Sequence, residues 1–343
     1  MEKQTTATAA TMTRPPPPPP LTPPPAAAAP PTRSPMTFEY ACKSFFAGGI
    51  AGCAAKSVVA PLDRVKILFQ TNAPHYSHHR GSWQGVFRAI HEIRGAHGIP
   101  GLFQGHSATL LRIFPYAAIK FMANEQYKHL IFPTATPPTP LHSLLAGSLA
   151  GVTSVFFTYP LEVIRVRLAF SPHRTTFPQL LRDMYAEPAH MSRVPGKAGK
   201  MTNYFRGFMP TVYGMIPYAG VSFMTYDTIK ERLRKTRSPL NPDQPLKPWA
   251  AHLIAGGLAG MISQTVSYPF EVVRRRMQVS GHYQVDSFEA RAYKSTMETA
   301  SYIYQRNGWR GFFVGLGIGY LKVVPMSMVS FWTYEAVKSA VGI

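Results

Sequence analysis

Cysteine and acidic residues are both scarce in this chain of 343 residues. The two cysteines, Cys42 and Cys53, are too few for a disulfide framework or for a cysteine-based metal site. Charged residues make up only 15% of the chain, where a soluble domain averages about 25%. Asp and Glu total 16 against 36 Lys and Arg, so the formal net charge is +20. This surplus favours an anionic partner, which could be nucleic acid, anionic lipid or an acidic small molecule.

Proline dominates the first 36 residues. The segment contains the proline runs 15–20 and 23–25, and proline removes backbone donors and favours extended polyproline II structure. It has the pattern of neither a secretory signal nor an amphipathic transit peptide. We therefore expect residues 1–36 to form a solvated, disordered tail.

The rest of the chain repeats one pattern three times. A Pro-x-acidic-x-x-basic motif at 61–66 recurs at 160–165 and at 269–274. A block of small residues precedes each motif, an aromatic-x-Gly step follows it, and an acidic-x-x-basic step closes each unit. Four landmarks in one order predict three copies of a two-helix module. The repeats are placed at residues 37–134, 135–242 and 243–343.

Long uncharged segments indicate that these helices span a membrane. Three segments of 20 residues or more carry no formal charge and are long enough to cross about 30 Å of hydrocarbon as helices. They are residues 141–161, 207–226 and 249–270. Three further segments contain isolated cations, and the repeat symmetry predicts that they cross as well; they lie near 43–70, 107–130 and 315–340. The expected fold is an all-α membrane protein with six transmembrane helices.

The threefold motif resembles that of the mitochondrial carrier family over about residues 40–340. The family fold is a bundle of six helices with threefold pseudo-symmetry and a short matrix-side helix in each repeat. The resemblance places these short helices near 82–95, 177–187 and 293–306. Within the family, residues 60–70 with 74–76, and residues 112–121, resemble the coenzyme A carrier branch. That branch includes the fungal mitochondrial coenzyme A carrier and the Graves disease carrier.

The resemblance also implies a cellular setting. It implies a multi-pass transporter of the mitochondrial inner membrane, with no enzymatic activity and no cofactor. An even number of spans places both termini on one side, and the resemblance implies that this side is the intermembrane space. The loops on the two sides carry Lys and Arg at almost equal density, so charge bias does not determine the orientation. The expected protein is a monomer in contact with membrane lipid, cardiolipin in particular.

Two rings of charge are implied at opposite ends of the bundle. Within each motif the acidic and basic residues lie three apart, so they share one helix face. The resemblance implies a matrix gate, called the first ring here, that pairs Asp63 with Arg165, Glu162 with Arg274 and Glu271 with Lys66. It implies a cytoplasmic gate, the second ring, that pairs Lys128 with Asp227, Lys230 with Glu335 and Lys338 with Glu125. Each ring is expected to open in turn.

Bracing residues accompany both rings in the family. Gln70 and Gln278 lie nine residues after their prolines, where the family places a brace beneath the matrix gate. Ala169 holds the equivalent position in the second repeat and cannot bridge. Tyr226 and Tyr334 precede the acidic residue of the second ring, whereas the first repeat has an asparagine there. We therefore expect two braces out of three at each end.

Departures from the repeat indicate the binding site, because one asymmetric substrate should break a threefold pattern. Four cations that are not present in all three repeats interrupt apolar spans; they are Lys56, Arg112, Lys120 and Lys322. Arg112, Tyr116 and Lys120 share one helix face because they are four residues apart. Cations in a low dielectric are costly unless an anion visits them, although snorkelling or a carboxylate partner would also explain them.

Coenzyme A carries a 3′-phosphate and a diphosphate, which matches several cations. The resemblance places Arg112, Gly214 with Met215, and Lys322 at the family's substrate contact points. A glycine followed by an aliphatic residue is typical of carriers of adenine compounds. We expect transport of coenzyme A, or a related adenine nucleotide, into the matrix by alternating access. An ATP-Mg/phosphate or ADP carrier is the alternative. A basic nucleic-acid-binding protein is more remote, since the cations lie in apolar helices and not on an exposed stripe.

Three other features are expected to add no further specific site. His75, His78 and His79 suggest a metal site, but no carboxylate or cysteine completes one, so we expect a solvated loop and no metal. The run of arginines at 274–276 is interpreted partly as ring and partly as contact with anionic lipid. Residues 188–202 are rich in Pro, Gly and Lys and are expected to form a disordered loop.

Overall fold

A computed structural model describes residues 38–131, 140–172, 175–188, 196–235, 248–281, 293 and 295–341. The proline-rich segment 1–36 lies outside these residues. Within the described ranges the chain forms α-helices, 3₁₀-helices and turns, and no strand. Residues Lys43–Ile343 make up one compact unit.

Long helices form the frame of this unit. They are α1 (Phe38–Gln70), α3 (His106–Ile131), α4 (Pro140–Phe170), α7 (Phe208–Lys235), α8 (Pro248–Val279) and the consecutive pair α10 (Leu316–Leu321) and α11 (Val323–Val341). The shorter helices are α2 (Trp83–Leu102), α5 (Phe177–Ala186), α6 (Gly196–Met201) and α9 (Thr296–Asn307). The short helix expected in each repeat is confirmed as α2, α5 and α9. The disordered loop expected over 188–202 is wrong for Gly196–Met201, which is helical.

Each short helix packs on the end of the long helix that precedes it. Serine caps begin two of them, since Ser82 accepts a hydrogen bond from the backbone of Gln84 and Ser295 accepts one from Glu298. Their inward faces share apolar clusters with α1, α4 and α8. Buried members of these clusters are Ile93 with Leu68, Met184 with Leu168, and Ile303 with Met277. The apolar core therefore lies at the end of the unit that carries the proline motifs.

The outward faces of the long helices expose large apolar side chains. Phe157, Ile216, Phe331 and Trp332 are 64% to 74% exposed. Such apolar exposure is unfavourable in water and is what a lipid-facing surface requires. By length and composition, the described helices include three segments able to cross a membrane, namely Lys43–Gln70, His142–Phe170 and Trp309–Val341. The protein is an all-α membrane protein.

The aromatic-x-Gly step explains how α3, α7 and α10 begin. Gly105, Gly207 and Gly315 all have left-handed backbone angles, with φ of +86°, +79° and +83°. A Cβ at Gly105 would lie 2.6 Å from the carbonyl oxygen of Arg165, and one at Gly207 would lie 2.8 Å from that of Arg274. Glycine is therefore required twice over, because the backbone turns left-handed and also approaches a neighbouring long helix.

Candidate functional site

The first ring is closed in this structure. Arg165 Nη2 lies 2.9 Å from Asp63 Oδ2, and Lys66 Nζ lies 2.9 Å from Glu271 Oε1. These pairs join α1 to α4 and α1 to α8. The third expected pair is much looser, with 3.9 Å between Arg274 Nη1 and Glu162 Oε1.

Glu162 is held mainly by two cations outside the expected ring. Arg275 Nη1 lies 3.2 Å from Glu162 Oε1, and Arg112 Nη1 lies 2.6 Å from Glu162 Oε2. Arg275 is only 7% exposed and also donates to Gln278 Oε1 at 3.0 Å. The lipid contact expected for part of the 274–276 run is therefore wrong for Arg275, and it is wrong for Arg276, which is fully buried. Sequence spacing did not reveal which arginine of the run reaches Glu162.

Two tyrosines complete the braces of the first ring. Gln70 Nε2 donates to Tyr268 Oη at 2.9 Å and to Glu271 Oε1 at 3.3 Å, while Gln278 Nε2 donates to Tyr159 Oη at 3.1 Å. Both phenols donate in turn to backbone carbonyls, from Tyr159 to Arg206 and from Tyr268 to Val314. Sequence reasoning missed these tyrosines. The signal was available, because each of them directly precedes the proline of its motif.

The interface between α1 and α4 lacks both halves of such a brace. Ala169 stands where the other repeats have glutamine, and Ala60 stands before the proline where they have tyrosine. Ala60 and Ala169 line one small cavity together with Asp63, Arg165 and Gly105. The ion pair between Asp63 and Arg165 therefore closes this interface without an amide brace.

Three buried arginines tie the ends of α1, α4 and α8 together in a cycle. Arg64 donates to the carbonyls of Ala169 and Ser171, Arg167 donates to those of Gln278 and Ser280, and Arg276 donates to that of Gln70. Glu187 binds Arg167 at 2.5 Å and Arg206 at 3.3 Å. Burial lowers the pKa of Arg206 to about 10, so it remains cationic at neutral pH. Backbone carbonyls thus fix the ends of the helices that carry the first ring.

The second ring is not joined between helices. Glu125 and Lys128 pair with each other at 3.1 Å within α3, and both are almost half exposed. Lys230 lies over the ring of Tyr226, whose Oη contacts His252 Nδ1 at 2.7 Å. Among the described residues, the expected pairs of Lys128 with Asp227, Lys230 with Glu335, and Lys338 with Glu125 are not formed. Tyr226 is thus engaged with α8, and the second ring, among the described residues, has no ion pair that links two helices.

Two of the four predicted substrate cations contact carboxylates of the first ring. Arg112 donates from Nε to Thr158 Oγ1 at 3.2 Å in addition to its contact with Glu162, and Lys322 Nζ lies 2.8 Å from Asp63 Oδ1. The carboxylate-partner explanation therefore holds for Arg112 and Lys322 in this conformation. Sequence spacing could not reveal these partners, since each lies on another long helix. Arg112 and Lys322 are each 20% exposed, so both remain accessible.

The other predicted contact residues occupy neighbouring positions. The ring of Tyr116 lies 5.1 Å from the Arg112 guanidinium carbon and 6.0 Å from Lys120 Nζ, so these three residues do share one face. Lys56 Nζ lies 3.5 Å from Met326 Sδ. A Cβ at Gly214 would lie 3.0 Å from Phe270 Cβ, and the end of Met215 approaches Gly151 of α4. Gly214 and Met215 thus line the contact of α7 with its neighbours.

Cations outnumber carboxylates at this site. Asp63, Glu162 and Glu271 together contact six cations, which are Lys66, Arg112, Arg165, Arg274, Arg275 and Lys322. The contacts therefore leave three positive charges in excess. Because this excess lies among long helices in a low dielectric, the site favours an anionic ligand.

Comparison with known families identifies this architecture. A family model described as mitochondrial carrier protein matches the chain three times, over residues 39–134, 136–237 and 246–342. The chain belongs to the mitochondrial carrier family. Carriers of this family are transporters of mitochondrial membranes, so this carrier is a mitochondrial membrane protein and not an enzyme. The family resemblance inferred from the repeated motifs is confirmed.

Individual relatives extend over most of the carrier. A mitochondrial carrier protein of Saccharomyces cerevisiae is 44% identical over 331 residues, which is 90% of this chain and 92% of that protein. Solute carrier family 25 member 16 of Homo sapiens is 42% identical over 308 residues, with 87% and 88% covered. A mitochondrial coenzyme A transporter of Xenopus tropicalis is 38% identical over 297 residues, with 85% and 83% covered.

Proposed function

We propose that this carrier moves coenzyme A, or a closely related adenine nucleotide, across the mitochondrial inner membrane into the matrix. The observation that carries the proposal is the excess of six cations over three carboxylates around the first ring. Coenzyme A brings a diphosphate and a 3′-phosphate to such a site. The similarity to a protein named as a mitochondrial coenzyme A transporter supports this choice of substrate.

The two rings act as gates in this proposal. The first ring is the matrix gate, with Gln70 and Gln278 as braces, and the second ring is the cytoplasmic gate, with Tyr226 and Tyr334 beside it. The first ring is closed while the second is unpaired, which is the arrangement expected of a carrier open towards the intermembrane space. Both termini would then face that side.

Substrate phosphates would compete with the ring carboxylates for shared cations. Arg112 bound to Glu162 and Lys322 bound to Asp63 are both partly exposed, so an entering phosphate reaches them first. Drawing these cations away leaves Asp63 and Glu162 beside a polyanion, which repels both carboxylates. That repulsion weakens the first ring, and the arrival of substrate thereby favours opening towards the matrix. Lys56, Lys120 and Tyr116 extend the same site, and Gly214 with Met215 admits the adenine ring.

The carrier is also proposed to work as a monomer in contact with anionic lipid, cardiolipin in particular. The ring residues and the substrate cations all belong to one chain, so one chain supplies a complete pathway. The exposed apolar faces of the long helices supply the lipid contact. An ATP-Mg/phosphate or ADP carrier would use the same cations and is the second candidate. The contacts of the cations with buried carboxylates favour transport over nucleic-acid binding.

The proposal is tested by uptake into proteoliposomes. Purified carrier is reconstituted, and initial rates are measured for coenzyme A, dephospho-coenzyme A, ADP, ATP and phosphate. We expect coenzyme A to be preferred over dephospho-coenzyme A, which lacks the 3′-phosphate. Arg112→Gln and Lys322→Gln should weaken the apparent affinity by roughly 10–150-fold, from the energy of charge-assisted hydrogen bonds of about 1.5–3 kcal/mol. Lys197→Gln on α6 removes the same charge at an exposed position and is the matched control.

Three results would count against the proposal. Uptake of every adenine compound at the rate of empty liposomes excludes this substrate class. Preference for ADP or ATP over coenzyme A favours the second candidate instead. If Arg112→Gln and Lys322→Gln lower the affinity for each compound no more than Lys197→Gln does, these two cations supply only a general electrostatic attraction and do not form a phosphate site.

A further inference from the structure

Two histidines and a glutamate meet outside the transport site. His78 and His79 end the 3₁₀ turn Pro74–His79 that follows α1, and Glu92 lies in the middle of α2. Their ligand atoms all lie within 4.8 Å of one another, and His79 Nε2 is 2.9 Å from Glu92 Oε2. The expectation of a histidine loop without a carboxylate is therefore wrong, because α2 supplies the carboxylate 13 residues further along the chain.

The backbone holds these side chains together. Tyr76 is buried and anchors the turn, and the Ser82 cap begins α2 three residues after His79. A Cβ at Gly85 would collide with the carbonyl oxygen of His79. Glycine at this position thus lets the turn approach the first turn of α2. The nearness of His79 to Glu92 is consequently a result of the fold and not of two freely moving side chains.

The three donors form a set that suits a particular class of metal. Imidazole nitrogen with carboxylate oxygen is a common ligand combination for zinc, whereas magnesium and calcium prefer oxygen alone. Zinc bonds of about 2.0–2.2 Å place two tetrahedral ligand atoms roughly 3.3 Å apart. His78 and Glu92 are exposed, so rotation of their side chains is able to close the remaining gap. Glu92 also lines a cavity of about 220 Å³ beside His75.

We propose that His78, His79 and Glu92 form a binding site for zinc or a similar divalent transition metal. The bound ion would replace the hydrogen bond between His79 and Glu92 and would link the turn after α1 to α2. Because an ion held by the native fold stabilises that fold, its binding should raise the thermal stability of the carrier. The site uses none of the proposed gate or substrate residues, so its test is independent of the proposed function.

Titration of the full-length carrier with zinc tests this site. The protein is purified in detergent with an affinity tag that lacks histidine, and binding is followed by calorimetry and by the visible spectrum of cobalt. The ligand variants are His78→Ala, His79→Ala and Glu92→Gln, the last of which keeps the size of the side chain. His91→Ala removes an exposed histidine adjacent to Glu92 and is the matched control. Thermal unfolding without metal checks that every variant is folded.

We expect one saturable equivalent of zinc that raises the melting temperature of the native carrier. Each ligand variant should bind zinc roughly tenfold more weakly, or more weakly still. Even the loss of a hydrogen-bond partner of a metal ligand typically lowers metal affinity by about 10–100-fold. His91→Ala should bind as the native protein does. The site is refuted if the native carrier shows no saturable binding. It is also refuted if Glu92→Gln and His91→Ala bind zinc equally, because the three residues then form only a hydrogen bond at the surface.

Discussion

The missing brace between α1 and α4 should be restorable by two substitutions. Ala60→Tyr supplies the phenol that precedes the proline in the other repeats, and Ala169→Gln supplies the amide. Tyr159 stacks on Phe205 with 11° between the rings, and Tyr268 stacks on Phe313 with 8°. Phe103 holds the equivalent position in the first repeat, so the surroundings of the new phenol are already present.

The expected magnitude follows from the existing brace. Gln278 donates to Tyr159 at 3.1 Å, and a hydrogen bond of this type contributes about 0.5–1.5 kcal/mol net. At about 1.4 kcal/mol per tenfold change, a gain near 1 kcal/mol shifts the equilibrium about fivefold towards the closed first ring. Ala60 and Ala169 are both buried around a cavity of only about 10 Å³, so each single substitution also introduces strain.

A double-mutant cycle separates the brace from this strain. Melting temperatures in detergent and initial transport rates are measured for the native carrier, the two single variants and the double variant. We expect the double variant to be more stable than the sum of the single effects by about 0.5–1.5 kcal/mol, with opening of the first ring slowed by roughly twofold to twelvefold. Additivity within about 0.5 kcal/mol would refute the argument, because the two side chains would then not interact.

Three further predictions concern the same framework. Asp63→Ala should impair transport, and exchanging the charges of Asp63 and Arg165 should restore only part of it, because Lys322 would then face an arginine. Initial transport rates at equal protein levels in the membrane test this, and a charge swap that transports no better than Asp63→Ala contradicts the pairing. Gly105→Ala should lower the stability of the carrier by about 1–3 kcal/mol because its backbone is left-handed, whereas Gly48→Ala has open space around the new Cβ and should change stability little. Thermal unfolding compares the two variants, and equal melting temperatures would show that the turn at Gly105 tolerates a side chain. Gly214→Leu should collide with Phe270 and lower uptake of adenine compounds with no change in charge, so unaltered uptake would remove Gly214 from the adenine site.

Sequence patterns alone were sufficient for the architecture. The threefold motif predicts the repeats, and the uncharged runs predict long helices in a membrane, because helix length and apolar composition are local properties. The short helices appear where the resemblance places them. The sequence also predicts which residues form the first ring, because an acidic and a basic residue three positions apart share one helix face.

Only the tertiary structure decided which partners meet across the bundle. Spacing along a helix gives the face of a residue but not the height and rotation of the neighbouring helices. Glu162 therefore contacts Arg275 and Arg112 more closely than Arg274, and Glu92 comes to lie beside His79 from a separate helix. The sequence likewise did not predict that the expected pairs of the second ring are not formed among the described residues. A ring pair depends on the distance between helix ends, which differs between conformations of one and the same chain.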